Sequence, residues 1–192
     1  VGSYTAESLA RTGLGKLTLV DFDRVCGTNV NRQLHAMKGT FGKWKADLMA
    51  ERCSLINPEA TIVGRRTFYH QPPSERLLFE ERPDFVVDAI DNITAKVHLL
   101  WTCHQHGIPV VSCMGAAGKL DPSRIEVKDL SKPHTAPLAR AVRAILRKKH
   151  CVNTSKTLQI PCVFSTEPRN QPQELSYDAH GGFLCICPTK GN

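Results

Sequence analysis

Short β-branched and apolar runs recur along this chain at 16–21 (KLTLVD), 60–68 (ATIVGRRTF), 84–91 (DFVVDAID) and 108–115 (IPVVSCMG), and helix-forming stretches separate them. The first such stretch, 42–58, carries Trp44, Leu48, Leu55 and Ile56 at helical spacing and stops at Asn57-Pro58, because the residue before a proline is pushed out of the helical region. The second, 93–107, is closed by Gly107. Residues 3–12 add a helix that ends at Gly13, ahead of the first strand. Strands apolar on both faces, alternating with helices, pair in parallel through crossover connections. The expectation is an α/β fold: a doubly wound, mostly parallel sheet with helices on both faces.

After about residue 120 the rhythm weakens. RIEVKDL at 124–130 reads as an edge strand, PLARAVRAILRKKH at 137–150 as a basic helix, and the chain from Cys151 on as irregular, Pro- and Gly-containing sequence. Residues 1–130 are therefore expected to form the sheet domain, and 131–192 a basic helix with an irregular C-terminal segment of the same domain. The chain opens VGSYTAESLARTG, as if already inside a helix, and its first residue is not Met. It reads as a fragment whose natural N-terminus, with any targeting signal, is missing. No apolar run approaches the ~18 residues that span a bilayer.

An apolar content of 41% over 192 residues is enough for a real core. The net charge of +7 suits a polyanionic partner such as nucleic acid and equally a solubility surplus. Cysteines at 26, 53, 103, 113, 151, 162, 185 and 187 are spread out, several within apolar runs, which suits reduced thiols. None is paired as CxxC, which argues against a tetrathiolate zinc site.

In doubly wound sheets ligands bind beyond the carboxyl ends of the strands. Asp21 ends the first strand, and Asp88 and Asp91 end the third. In nucleotide folds an acid about 20 residues beyond a glycine-rich phosphate loop takes the ribose hydroxyls. Asp21 lies that far from Gly2, which would make VGS the tail of such a loop; a simple turn cap is the alternative.

Four blocks then occur in order: DFDRVCGTNVNRQLH, GKWKA, INPEA and DAIDN. In this order and spacing they resemble the ubiquitin-activating-enzyme-like adenylation family that contains the bacterial MoeB and ThiF proteins. NRQLHA, GAAGKLDPSRIEVKDLSK, the basic helix, CVFSTE and CICP further resemble the subgroup that cyclises threonylcarbamoyladenosine in tRNA. The resemblance implies a Rossmann-like ATP-binding adenylation domain over 1–130, with ATP and Mg²⁺ as cofactors. It implies that the threonylcarbamoyl carboxylate is adenylated and the product dehydrated to the cyclic form.

The same resemblance assigns Asp21 to the ribose, Gly2 to the phosphate loop, and Asn29, Arg32, Gln33 and Lys45 to the triphosphate. Asp91 would hold the metal, with Asn92 supporting it or capping the next helix. Arg32, Lys45 and Asp91 would be the catalytic residues. Asp88 would end its strand and pack on the loop, and Asp23 receives no role. A homodimer and a tRNA partner follow from the same likeness, a sulfur-relay or cysteine-desulfurase partner is compatible with it, and the reduced thiols suit a cytoplasmic location.

Three alternatives stay open. An enzyme activating the C-terminus of a ubiquitin-like sulfur carrier would usually carry paired CxxC ligands, which this chain lacks. A nicotinamide-dependent oxidoreductase shares the sheet and Asp21 but gives no reason for Asn29, Arg32 and Lys45 together. A non-catalytic tRNA-binding remnant is the third.

On the basic helix Arg140, Arg143 and Arg147 follow i, i+3, i+7 and form a stripe for tRNA phosphates, with Leu138, Val142, Ile145 and Leu146 largely opposite. His35, His98, His104 and His106 read as solvated or capping residues, Trp44 and Trp101 as helical core residues, and Cys162, Cys185 and Cys187 as structural or incidental thiols.

Overall fold

The computed structural model describes residues 1–70 and 74–168. The described residues fall into two compact units, 1–69 and 70–168.

In the first unit α1 (Gly2–Ala10) leads into β1 (Lys16–Val20), and α2 (Lys45–Ile56) crosses over to β2 (Thr61–Arg65). The two strands are parallel, with Lys16 opposite Thr61 and Val20 opposite Arg65. Ala6 and Ala10 of α1 meet Met49 and Cys53 of α2, and Leu17, Leu19, Leu34, Ile56 and Ile62 pack around them. The helix lies so close to β2 that a Cβ on Gly64 would stand 2.9 Å from the Ala46 carbonyl oxygen, so glycine is required there. This corrects the expected core face of α2. The buried positions are Ala46, Met49 and Cys53, whereas Leu55 is 81% exposed and Trp44 precedes the helix as its N-cap. Residues 46, 49 and 53 share one helical face by i, i+3, i+7 spacing, and Leu55 falls on the other.

The second unit holds α3 (Glu75–Glu81), β3 (Val86–Asp88), α4 (Ile93–Gln105), β4 (Val110–Cys113), β5 (Ile125–Asp129), α5 (Pro137–His150) and β6 (Pro161–Ser165). Its sheet has the order β3-β4-β6-β5. β3, β4 and β6 run parallel, and β5 lies antiparallel on β6 at the edge. The parallel-dominated α/β class and the edge position of β5 are as expected. The irregular chain expected after Cys151 is not, because β6 sits inside the sheet with Cys162 and Phe164 buried. Pro161 hides this strand from a sequence reading, yet proline is acceptable at a first strand position. Asp129 helps place it by accepting from the Leu158 amide at 3.1 Å and the Ile160 amide at 3.2 Å. α3 is a further element that the strand–helix rhythm did not predict. The CICP block, with Cys185 and Cys187, lies outside the described residues.

Among the described residues no helix is long and apolar enough to cross a membrane.

Candidate functional site

The backbone just past β1 continues the ladder for one residue: the Asp21 amide donates to the Arg65 carbonyl at 3.1 Å. The chain then turns, with the Asp23 amide donating to Asp21 Oδ1 at 2.8 Å. Segments 23–25 and 42–45 run antiparallel through Val25 N to Lys43 O and Gly42 N to Val25 O, both 2.9 Å, and through a bridge between Arg24 and Trp44. This clamp holds Lys45 at the first position of α2. There the residue is 7% exposed, and its ammonium donates to Asp23 Oδ2 at 2.8 Å. A cation at the positive end of a helix is disfavoured by the peptide dipoles, and the Asp23 carboxylate offsets that. Sequence reasoning left Asp23 without a role; in the fold it is the partner of Lys45. Arg24 stacks 3.9 Å above the Trp44 ring, so this tryptophan belongs to a surface cation–π contact and not to a helical core.

Asn29 ends a 3₁₀ turn (Gly27–Asn29), is buried, and accepts from the Cys26 amide at 3.1 Å through its side chain. Its carbonyl takes the amides of Arg32 and Gln33 at 3.1 and 3.0 Å, which curls 26–33 into one compact polar loop. Arg32 is exposed and donates through Nη1 to the Thr28 carbonyl at 2.8 Å and to Asn31 Oδ1 at 2.9 Å. Gln33 Oε1 lies 3.1 Å from His35 Nε2. Gly2 is the first residue of α1, where helix amides point outward. Asp21, Asn29, Arg32, Gln33 and Lys45 thus belong to one unit, on β1, the loop after it and the start of α2.

His35 is not the solvated residue expected: it is 6% exposed. Burial, and then the Lys45 cation, push its pKa down to about 4. The unfolded chain therefore binds a proton near pH 6.5 that the fold refuses. The stabilising contribution is complete above about pH 6.5 and is lost as pH falls from there toward 4. Between pH 7 and 4.5 the parent should lose roughly 2–3 kcal/mol that a His35→Gln variant keeps. Chemical denaturation at the two pH values measures this, and parallel losses in the two proteins would show that His35 does not titrate this way.

In the second unit, the turn after β3 is tied at both ends. Asp88 Oδ1 accepts from the Ile90 amide at 3.0 Å, and Asn92 caps α4 by accepting from the Ala95 amide at 3.1 Å. Asp91 stands exposed between them. Asp88 Oδ2 receives Lys96 Nζ at 2.6 Å and Ser112 Oγ at 2.5 Å, and Lys96 Nζ also donates to Ser112 Oγ at 3.2 Å and the Cys113 carbonyl at 3.0 Å. Asp88, Lys96 and Ser112 are all 0% exposed. Sequence reasoning missed Lys96, although a lone lysine among the apolar residues of ITAKVHLLW was the available signal.

On α5, Arg140 and Arg147 are exposed, but Arg143 is half-buried and donates to the Leu130 carbonyl at 3.0 Å. Desolvation lowers its pKa. The expected stripe is corrected to two outward arginines plus Lys148 and Lys149 in the last turn. Ala139, Val142 and Leu146 form the inward face. His98 is also buried, 2.9 Å from Glu75, while His104 and His106 are exposed. Trp101 packs its ring 4.6 Å from that of His150.

Cys53, Cys103, Cys113, Cys151 and Cys162 are free thiols. Burial pushes Cys162 up to about 11, which suits an inert core thiol. Among the described residues no group of three or more His, Cys, Asp or Glu is placed to hold a metal ion.

Parallel strands joined by helices, with polar residues gathered beyond β1 and β3, define the nucleotide-handling class of α/β domains. Within that class the chain belongs to the ThiF family, whose profile matches residues 1–176. It is 44% identical over 175 residues to the tRNA threonylcarbamoyladenosine dehydratase of Haemophilus influenzae, an alignment covering 90% of this chain and 67% of that protein. The Bacillus subtilis protein of the same name is 46% identical over 167 residues, covering 87% of this chain and 63% of that one. The crystal structure of the Escherichia coli tRNA N6-threonylcarbamoyladenosine dehydratase, TcdA, in complex with ATP superposes with a TM-score of 0.83 at 42% identity, over 90% of this chain and 71% of that one. The chain thus spans about two thirds of the length of these relatives.

Proposed function

We propose that the chain carries the adenylation core of an ATP-dependent tRNA threonylcarbamoyladenosine dehydratase. The observation that carries this reading is the 44% identity over 175 residues, because it runs through both units and includes the blocks after β4 as well as the nucleotide loop. In the proposed reaction a carboxylate oxygen of the threonylcarbamoyl group attacks the α-phosphorus of ATP, forming an acyl adenylate and releasing pyrophosphate. Ring closure then expels AMP. Positioning and charge neutralisation suffice for adenylation, and no protein nucleophile is needed.

Asp21 accepts from the ribose hydroxyls. The amides at the start of α1, beginning with Gly2, suit phosphate oxygens. Asn29 and Gln33 order the loop that presents Arg32, and Arg32 and Lys45 neutralise the charge that grows on the phosphates. Lys45 exchanges Asp23 for phosphate when the nucleotide enters. Asp91, the exposed carboxylate at the end of β3, would offer Mg²⁺ a hard oxygen, and the ion typically uses one or two carboxylates together with substrate phosphate. When bound, the ion neutralises phosphate charge. Asn92 fixes the turn that presents Asp91. A homodimer and a cytoplasmic location accompany this reading.

The test incubates the full-length enzyme with ATP, Mg²⁺ and tRNA bearing threonylcarbamoyladenosine. AMP and pyrophosphate should appear together with loss of one water from the modified nucleoside. ADP and phosphate, or an unchanged nucleoside, would overturn the assignment.

The outward face of α5 is proposed to meet tRNA phosphates. Replacing Arg140 and Arg147 by Gln should reduce the slope of log affinity against log salt by ~0.7–0.9 for each phosphate left unneutralised, with ATP binding unchanged. A parental slope in the double variant would show that tRNA docks elsewhere.

A further inference from the structure

A buried lysine deep in an apolar helix is costly to desolvate, so its bonds need a reason. Lys96 reaches three oxygens from one ammonium: Asp88 Oδ2 at the end of β3, Ser112 Oγ in β4 and the Cys113 carbonyl at the end of β4. It therefore pins the carboxyl ends of two neighbouring parallel strands to each other. Asp88 carries that anchorage onward, because its second oxygen holds the Ile90 amide at 3.0 Å. On the far side, the Lys96 backbone amide donates to the Asn92 carbonyl at 2.9 Å, and the Asn92 side chain caps the same helix. The turn 89–92 is thus held at one end by the Lys96–Asp88 pair, through the Ile90 amide, and at the other by the Asn92 cap, and Asp91 is the exposed carboxylate it presents.

We propose that Lys96, acting through Asp88 and Ser112, is the positioning residue that sets the Asp91 carboxylate for a divalent cation carried by a nucleotide. This rests on the metal-holding role proposed for Asp91. Lys96 touches neither the cation nor the nucleotide. It works as the outer partner of a metal ligand, a position whose loss commonly weakens metal affinity 10- to 100-fold. All three groups are fully buried, so their effect on the cation runs through the backbone of the turn.

The test uses the full-length enzyme with a non-hydrolysable ATP analogue, and Mn²⁺ as a spectroscopically visible stand-in for Mg²⁺. The variants are Asp88→Asn/Lys96→Met, which removes both buried charges at nearly constant volume, Ser112→Ala, which keeps both charges and deletes one bond to each, and Asp91→Asn. Free Mn²⁺ is followed by electron paramagnetic resonance, and analogue affinity is measured separately without metal. The double variant should weaken Mn²⁺ binding by roughly 10- to 100-fold while metal-free analogue affinity stays within about twofold. Ser112→Ala should shift Mn²⁺ binding the same way by less. If Asp91→Asn weakens Mn²⁺ and the folded double variant does not, Lys96 is a structural residue only and the inference falls while the reading of Asp91 stands. If neither changes Mn²⁺ binding, the metal role of Asp91 falls and the inference with it. Should the double variant fail to fold, Ser112→Ala decides: parental Mn²⁺ affinity overturns the inference and a weakened one supports it.

Discussion

Lys45→Ala and Arg32→Ala are each expected to slow turnover roughly 10²- to 10³-fold, equivalent to ~2.7–4 kcal/mol in the barrier, as is common when one preorganised charge-stabilising donor is removed. Folding should suffer far less. Arg32 is exposed, with its two bonds made to its own loop. Lys45 is buried, but the carboxylate it would leave behind, Asp23, is 48% exposed and can be rehydrated. The measurement is single-turnover pyrophosphate release from full-length variants, set against thermal unfolding of the same preparations. A variant that releases pyrophosphate at the parental rate removes that residue from the mechanism. A loss of rate that follows loss of fold would reduce it to a structural one.

Lys96→Met should act in the opposite sense, through stability first. The substitution leaves the Asp88 carboxylate at 0% exposure with its countercharge gone, and breaking a buried pair by removing one partner typically costs ~3–5 kcal/mol. Adding Asp88→Asn removes the stranded charge, and the double variant should recover most of the loss, because a buried pair exchanged for neutral residues is often near neutral in stability. Denaturant unfolding of the two variants against the parent reads this directly. A single variant losing less than about 1 kcal/mol would mean that the site relaxes or takes up a proton, and that Lys96 is not holding a charged Asp88.

The strand–helix alternation was legible because burial on both faces leaves an unbroken apolar run, and β1 to β4 were found that way. The position of Asp21 past β1 follows from strand length alone. What periodicity could not show was decided by partners distant in sequence. Leu55 has helical spacing and an apolar side chain, yet the crowding that makes Gly64 obligatory sets the buried face of α2 at Ala46, Met49 and Cys53. β6 begins at a proline, which breaks the apolar run IPCVF for a sequence reading, and its place inside the sheet comes from pairing with β4 and β5. His35 and Arg143 carry polar side chains that a sequence places in water. The fold buries the first beside Lys45 and ties the second to the Leu130 carbonyl. Lys96 and Asp88 are eight residues apart, and no spacing rule joins them until the helix turns one back over the strand end that carries the other.

The place of β6 between β4 and β5 also bears on how the chain is made. Both flanking strands leave the ribosome before it, and among the described strands β5 has no ladder partner until Pro161–Ser165 emerges. At the usual ~5–20 residues per second, β4 waits for about several seconds with one edge unpaired, an exposed template of the kind that invites wrong pairing. Nascent chains long enough to bring 125–129 out of the exit tunnel while Pro161–Ser165 is still inside it should therefore be cut readily by protease within 125–129, and chains long enough to free Ser165 as well should resist. Equal resistance in the two would mean that β5 finds another shelter while it waits. Translation speed across 114–160, a stretch with no part in the proposed chemistry before α5, thus sets how long an open sheet is left for chaperones to guard.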